Sequence, residues 1–133
     1  LALAICEGMA QVDDSLILLG LSGSKMLSAA KTVGLRAASE VFADRAYEED
    51  GSLVARTKPG AMITDEDEAV RRVVAMVEKG TVTAITGKEI PIQADSVCVH
   101  GDSPKALNFV QKIRTAFQTA GIQIAPLGEI VEK

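Results

Sequence analysis

The stretch EVFADRAYEEDGSLVARTKPGAMI, residues 40–63, decides the fold that we predict for this chain. It begins inside an apolar run, residues 37–42, and then changes abruptly to Asp44, Arg45 and a long polar loop. Enzymes of the α/β class place their chemistry in this way, on loops at the carboxyl end of a buried strand. The stretch therefore predicts a strand that delivers charged side chains to one edge of a sheet.

Composition favours one domain with an aliphatic core. The chain has 133 residues, of which 47% are hydrophobic but only 3% aromatic, so Ala, Val, Leu, Ile and Met must build the core. Cys6 and Cys98 lie far apart in apolar segments and are predicted to be free, buried thiols. Because the chain opens at Leu1 inside a helical pattern, we expect a fragment of a longer protein.

Charge and hydropathy argue against several classes of partner. The formal net charge is -4, and no Lys/Arg cluster reaches the density of a nucleic-acid patch. A membrane span needs about 18 apolar residues, and the apolar runs of this sequence are shorter. We recognise no signal-peptide pattern. We therefore expect a cytoplasmic protein that binds neither nucleic acid nor membrane.

The hydrophobic pattern alternates between helical and strand spacing, as it does in proteins with a parallel sheet. Strands are predicted at residues 16–19, 35–42, 97–99 and 122–125, a hairpin within residues 81–93, and helices at residues 1–12, 25–33, 65–79 and 103–120. The pair Asp50-Gly51 predicts a tight turn with positive φ inside the long loop. A tail is expected after residue 125.

Several residues mark the predicted helix ends. Thr64, with Asp67 three residues later, has the form of a capping box, and the acidic residues 65–68 complement the positive end of the helix. Ser103 and Pro104 are expected to begin the last long helix. The apolar stripe of that helix is predicted to comprise Ala106, Leu107, Val110, Ile113, Ala116 and Phe117.

Three predicted strands end in polar, small or charged residues: residues 20–24, Asp44 with Arg45, and residues 100–102. If the strands are parallel, these ends lie at the same edge of the sheet. His100 beside Asp102 could act as a general base or bind a metal. The same residues suit a strand-end turn in which Asp102 or Ser103 caps the following helix, and both interpretations can hold.

Other patterns at this edge remain open or point away from specific chemistry. Asp44 and Arg45 could form a structural ion pair, or Arg45 could grip a carboxylate. Residues 20–24 are a weak phosphate cradle, since they lack both the Walker and the G-x-G-x-x-G spacing. One histidine and two distant cysteines cannot build a structural zinc site. The residues alone predict an α/β sheet with a polar carboxyl edge and specify no reaction.

Residues 40–63, followed by DSVCVHGDSPKAL at residues 95–107, resemble the LamB/YcsF family, the A subunit of bacterial 5-oxoprolinase. ILLGLSGS, residues 17–24, is also similar, and the resemblance covers essentially the whole chain. It implies mostly parallel β/α units that form the C-terminal half of a distorted TIM-like β/α barrel, so that residues 1–133 are a single-domain fragment. The motifs of the family's N-terminal half are absent, so a site built from both halves is expected to be incomplete here.

The resemblance also implies an activity, the ATP-dependent hydrolysis of 5-oxo-L-proline to L-glutamate together with two partner subunits. Asp44, His100 and Asp102 would be acid/base or electrostatic groups. Substrate binding would fall to Arg45, Arg56 and Glu40, and the metal is left undetermined. The isolated chain is expected to be inactive and to self-associate through its uncovered sheet edge. The alternatives are a non-catalytic α/β binding or regulatory module and an inactive fragment of the enzyme.

Overall fold

A computed structural model of the chain describes residues 1–101 and 104–131. Its elements in chain order are α1 (Ala2–Val12), β1 (Ile17–Leu21), α2 (Lys25–Val33), β2 (Arg36–Phe42), α3 (Glu66–Lys79), β3 (Thr81–Thr83), β4 (Glu89–Pro91), β5 (Ser96–Cys98), α4 (Ala106–Thr119) and α5 (Leu127–Ile130). The alternation of helices with parallel strands confirms the predicted α/β class. Among the residues described, no helix combines the length and the hydropathy needed to cross a bilayer.

Strands β1, β2 and β5 form a parallel sheet in the order β1-β2-β5. Leu21 pairs with Glu40 at the end of β1, and Phe42 pairs with Cys98 at the end of β5. The carboxyl ends of all three strands therefore lie at one edge, as predicted. Strands β3 and β4 form a separate antiparallel pair, which confirms the hairpin predicted within residues 81–93.

The two faces of the parallel sheet are covered differently, because successive strand residues point to opposite faces. The covered face consists of Leu18, Gly20, Ala37, Ser39, Val41 and Val97. The open face consists of Ile17, Leu19, Leu21, Arg36, Ala38, Glu40, Phe42, Ser96 and Cys98. Helices α1 and α2 pack around Leu18, and α3 and the hairpin pack around Val41. On the open face only Ala38 is buried.

Helix α3 joins two parts of the core through one apolar stripe. Met76 packs with Val41 and the hairpin, whereas Ala69 and Val73 pack against α4. The helix ends at Gly80, whose φ of 63° is left-handed, a conformation that glycine adopts without steric cost.

The loop between β2 and α3 is held by its own hydrogen bonds. Tyr47 and Leu53 form an isolated β-bridge, and the Glu48 N–H donates to the Ser52 carbonyl. Gly51 has a φ of 84°. These contacts confirm the tight turn predicted at Asp50-Gly51.

Two predicted helix starts were wrong. Asp65, not Thr64, is the N-cap of α3, because its carboxylate accepts the Glu68 N–H at 2.8 Å. Helix α4 begins at Ala106, and Pro104 lies in the turn before it. Ser103 lies outside the described residues.

The predicted stripe of α4 was partly wrong as well. Leu107 is 72% exposed, and the buried positions are Phe109, Ile113 and Phe117. These three residues repeat every four positions and face α3, so the neighbouring helix sets which side of α4 is buried.

The strand predicted at residues 122–125 is absent from the described structure, where these residues are irregular. They line a groove beside α4, and α5 follows where a tail was expected. The strand predicted as buried at residues 97–99 is Ser96–Cys98, and it is only half-buried because it is an edge strand.

Candidate functional site

The register between β2 and β5 brings Asp44 to His100. Phe42 pairs with Cys98 in the parallel ladder, and Asp44 and His100 each follow two residues later. His100 Nδ1 lies 3.0 Å from Asp44 Oδ2. The two side chains retain 30% and 22% of their surface, so the pair is sheltered but reachable. The two predicted strand ends therefore meet, while their catalytic roles stay predictions.

Two groups fix the imidazole of His100. A carboxylate can only accept, so Asp44 places the proton of the neutral ring on Nδ1 and leaves Nε2 with a lone pair. The Phe42 ring stacks on the imidazole with centroids 5.3 Å apart and planes at 26°. A ring held at one nitrogen and on one face keeps Nε2 in a constant direction, as a general base requires.

A groove of about 230 Å³ opens beside this pair. It is lined by Asp44, Met62, Ile63, Thr64, Glu66, Ala69, Val99, His100, Lys105, Ala106 and Phe109. Its walls are mostly apolar, and the charged residues that line it besides the His100–Asp44 pair are Glu66 and Lys105. Pockets for drug-sized ligands measure about 300–1,000 Å³, so this groove suits a smaller molecule.

Two larger cavities lie elsewhere. One of about 640 Å³ runs between β5, α4 and the segment before α5, and its lining is largely apolar. Another of about 560 Å³ lies between α3 and α4. Neither is lined by His100 or Asp44. We therefore take the smaller groove as the candidate site, because general acid/base groups line it.

Arg45 was expected to bind substrate in the site or to pair with Asp44. The structure gives its side chain a different partner. Its guanidinium donates to the Val54 carbonyl at 2.6 Å, and the residue is only 7% exposed. Arg72 of α3 in turn donates to the Arg45 carbonyl at 3.3 Å. Arg45 thus holds the loop together, and it is not among the residues that line the groove.

The other predicted site residues lie apart from the groove or beyond the described residues. Arg56 is exposed and does not line the groove. Glu40 lies on the open face, where burial, Glu40 and Asp44 together raise the pKa of Cys98. Asp102 falls outside the described residues, so its predicted role is unchanged.

Of the residues that line the groove, sequence reasoning predicted only Asp44 and His100 as site residues, and Thr64 and Phe109 are among those it missed. It also missed Phe42, which stacks on His100. Phe42 could have been found, because strand alternation places it on the same face as Asp44 two residues later. Thr64 was assigned to a helix cap and lines the groove instead. Phe109 depends on the rotation of α4, for which the sequence has no local signal.

Two observations bear on a metal ion and on a nucleotide at this edge. Within residues 1–101 and 104–131, no group of three or more His, Cys, Asp and Glu side chains is arranged to hold a metal ion. The Ser22 hydroxyl, in the weak phosphate cradle, accepts the Gln93 N–H at 3.2 Å and is buried. The Ser22 hydroxyl is thus engaged within the chain, and the ATP implied by the resemblance stays a prediction.

Comparisons with known proteins agree on one family. The sequence matches the LamB/YcsF family over residues 1–132. It is 61% identical to a 5-oxoprolinase A subunit of Clostridium beijerinckii over 130 residues, which are 98% of this chain and 51% of that protein. It is 53% identical to a 5-oxoprolinase A subunit of Campylobacter jejuni over 131 residues, again 98% of this chain and 51% of that protein.

A solved structure shares the fold. The crystal structure of a lactam utilization protein from Thermus thermophilus superposes with a TM-score of 0.84 at 37% identity, covering 92% of this chain and 49% of that one. The chain thus spans about half the length of the relatives that it matches.

Proposed function

The chain belongs to the LamB/YcsF family, and from this premise we propose that it takes part in opening the lactam ring of 5-oxo-L-proline to give L-glutamate. The names of its relatives, lactam utilization protein and the A subunit of 5-oxoprolinase, support a lactam as substrate. The observation that carries the proposal is the His100–Asp44 pair beside a small groove, because lactam opening needs a positioned base in a site that admits a small ring.

In this proposal His100 is the general base. Its Nε2 takes a proton from water while the water oxygen bonds to the lactam carbonyl carbon. The ring C–N bond then breaks, and the proton returns from Nε2 to the departing nitrogen. Asp44 keeps the required tautomer and offsets the positive charge that develops on the imidazole. The apolar walls of the groove would strengthen these interactions by excluding water.

The remaining parts of the activity are supplied by the assembled enzyme in this proposal. The relatives contain about as much chain again, and the groove and open face leave room for another wall of the site. A closed TIM-like barrel would supply that wall. We include ATP and two partner subunits because the family resemblance implies them.

Replacing His100 tests this function in the enzyme assembled with its partner subunits. His100→Ala should lower glutamate formation from 5-oxoproline by about 10²–10⁴-fold, the usual contribution of a general base. Glu78→Ala is the control, since Glu78 is exposed near the carboxyl end of α3. Near-normal turnover by His100→Ala would remove the histidine from the reaction and favour a binding role for the groove.

A further inference from the structure

Phe42 is the last residue of β2 and lies beyond the end of β1, the neighbouring strand in the sheet. In a parallel ladder the N–H and C=O groups of alternate residues point to the same side. The Glu40 carbonyl accepts the Ser22 N–H on the β1 side, so the Phe42 N–H also points to that side. The last pair of β1 with β2 is Leu21 with Glu40, and the Tyr47 hydroxyl accepts the Phe42 N–H at 2.9 Å. Tyr47 thus takes the place of the next ladder partner.

Tyr47 is itself held firmly. It is fully buried in the cluster that contains Val41 and Met76. Its carbonyl accepts the Ile85 N–H at 2.8 Å, and it bridges to Leu53 across the loop. Burial raises the pKa of the phenol, so the hydroxyl is neutral at physiological pH. This side chain is a rigid acceptor rather than a mobile one.

We propose that Tyr47 is a positioning residue for His100 that acts through Phe42. The hydroxyl fixes the backbone of Phe42, and the ring of Phe42 lies against the imidazole. The same strand end continues into Asp44, which holds Nδ1. The phenol therefore holds the strand end that provides both contacts of the imidazole. The inference concerns the geometry of the histidine and relies on the proposed function only for its effect on turnover.

The first experiment needs no activity, because His100 is the one histidine of the chain. Nitrogen-15 NMR of the 133-residue chain should show an imidazole with its proton on Nδ1 and ring protons shifted upfield by Phe42. In Tyr47→Phe the upfield shift should shrink and the tautomer signals should move toward a mixture. Exchange of the Phe42 amide should become about tenfold faster or more, since a part-buried N–H loses its acceptor.

Ser22→Ala is the matched control. Ser22 is also buried, and its hydroxyl also accepts one backbone N–H, which comes from Gln93 and not from Phe42. It should lower stability to a similar extent and leave the His100 signals unchanged. If Ser22→Ala changed the His100 signals as much as Tyr47→Phe does, Tyr47 would have only a general structural role, and the proposal would be overturned. Unchanged His100 signals in a folded Tyr47→Phe chain would overturn it as well.

A second variant keeps the inference testable if Tyr47→Phe does not fold. Phe42→Leu removes the stacked ring and leaves the backbone N–H in place, whereas Phe42→Tyr retains an aromatic ring. Phe42→Leu should lose the upfield shift of the His100 ring protons, as Tyr47→Phe should, and Phe42→Tyr should retain it. Identical spectra for Leu and Tyr at this position would contradict the inference.

Turnover in the assembled enzyme provides a separate readout. Tyr47→Phe should lower kcat about tenfold with KM nearly unchanged, because the base is misaligned while the groove is kept. A changed His100 spectrum with unchanged kcat would refute the link to catalysis and also count against His100 as the base. An unchanged spectrum would refute the positioning role alone.

Discussion

Leu18 and Leu19 are adjacent leucines of β1 that point to opposite faces of the sheet. Leu18 is 7% exposed and packs under α1 and α2, whereas Leu19 is 45% exposed on the open face. The covered face therefore stabilises the fold. The open face also carries Glu40, Phe42 and Cys98, and it leads to the His100–Asp44 pair at the carboxyl edge. The open face thus leads to the candidate pair. The groove beside that pair is also lined by Ala69 of α3 and Phe109 of α4, which belong to the packed core.

Truncation of Leu18 and of Leu19 to alanine, one at a time, should give the largest difference between the two faces of the sheet. Leu18→Ala should lower the free energy of unfolding by about 2–5 kcal/mol, because it leaves a cavity among buried aliphatic side chains. Leu19→Ala should cost less than about 1 kcal/mol, since much of that side chain already contacts water. Urea unfolding followed by circular dichroism measures both values.

The two substitutions remove the same atoms from neighbouring positions, so each is the control for the other. Equal losses of stability would mean that the open face is buried in solution. The concentration dependence of the Leu19→Ala transition would then separate self-association, which was predicted from the sequence, from burial within one chain.

Features that depend on local residues could be predicted from the sequence. Gly34 has a φ of 80° at the end of α2 because only a few neighbouring residues determine a helix end. The same holds for Gly80 and for the turn at Gly51. Features that depend on distant neighbours could not be predicted. The burial of Phe109 rather than Leu107 requires the position of α3, which lies about forty residues earlier in the chain.

The candidate site shows the same division. The meeting of Asp44 and His100 could be predicted, because parallel strands end at one edge and both residues follow strands directly. The direction of Arg45 could not, since the loop that folds back to Val54 determines it. Asp65 replaced Thr64 as the helix cap because a shift of one residue decides which side chain reaches a free N–H.

The cysteines provide a second test, with one thiol on each side of the sheet. Cys6 is fully buried beneath α2, whereas Cys98 is half-buried on the open face. Iodoacetamide should modify Cys98 at least about tenfold faster than Cys6, a difference of about 1.4 kcal/mol in protection. Peptide mass spectrometry at successive times measures both rates. Equal rates would show that α1 does not stay on the covered face.

The pH dependence of the Cys98 reaction sharpens this test. Burial, together with Glu40 and Asp44, holds the pKa of Cys98 above its ordinary value of 9.0. The reactive thiolate is therefore scarcer at neutral pH than in a free cysteine, and the rate should rise steeply as the pH passes 9.0. Glu40→Gln removes one negative charge and should speed the reaction at a given pH. An unchanged rate would place Glu40 away from the thiol.

The smallest expected effect concerns α3, a helix that packs on the covered side. The backbone N–H of Glu68 is the main group that holds the pKa of Asp65 below its ordinary value of 3.8. A carboxylate with a lowered native pKa stabilises the fold above the unfolded value, and this stabilisation is lost as the pH falls through the native value. Asp65→Asn keeps an acceptor for the Glu68 N–H but does not titrate in this range.

The difference in unfolding free energy between wild type and Asp65→Asn should therefore favour wild type near about pH 6 and shrink toward about pH 2.5. Thr64→Ala, at the residue first predicted to be the cap, should show a difference that does not vary with pH. Because Asp65 is fully exposed, the effect is small. A constant difference for Asp65→Asn would mean that the carboxylate charge does not stabilise α3. If Asp65→Asn also changed the rate of Cys98 modification, the covered and open sides of the sheet would be coupled rather than independent.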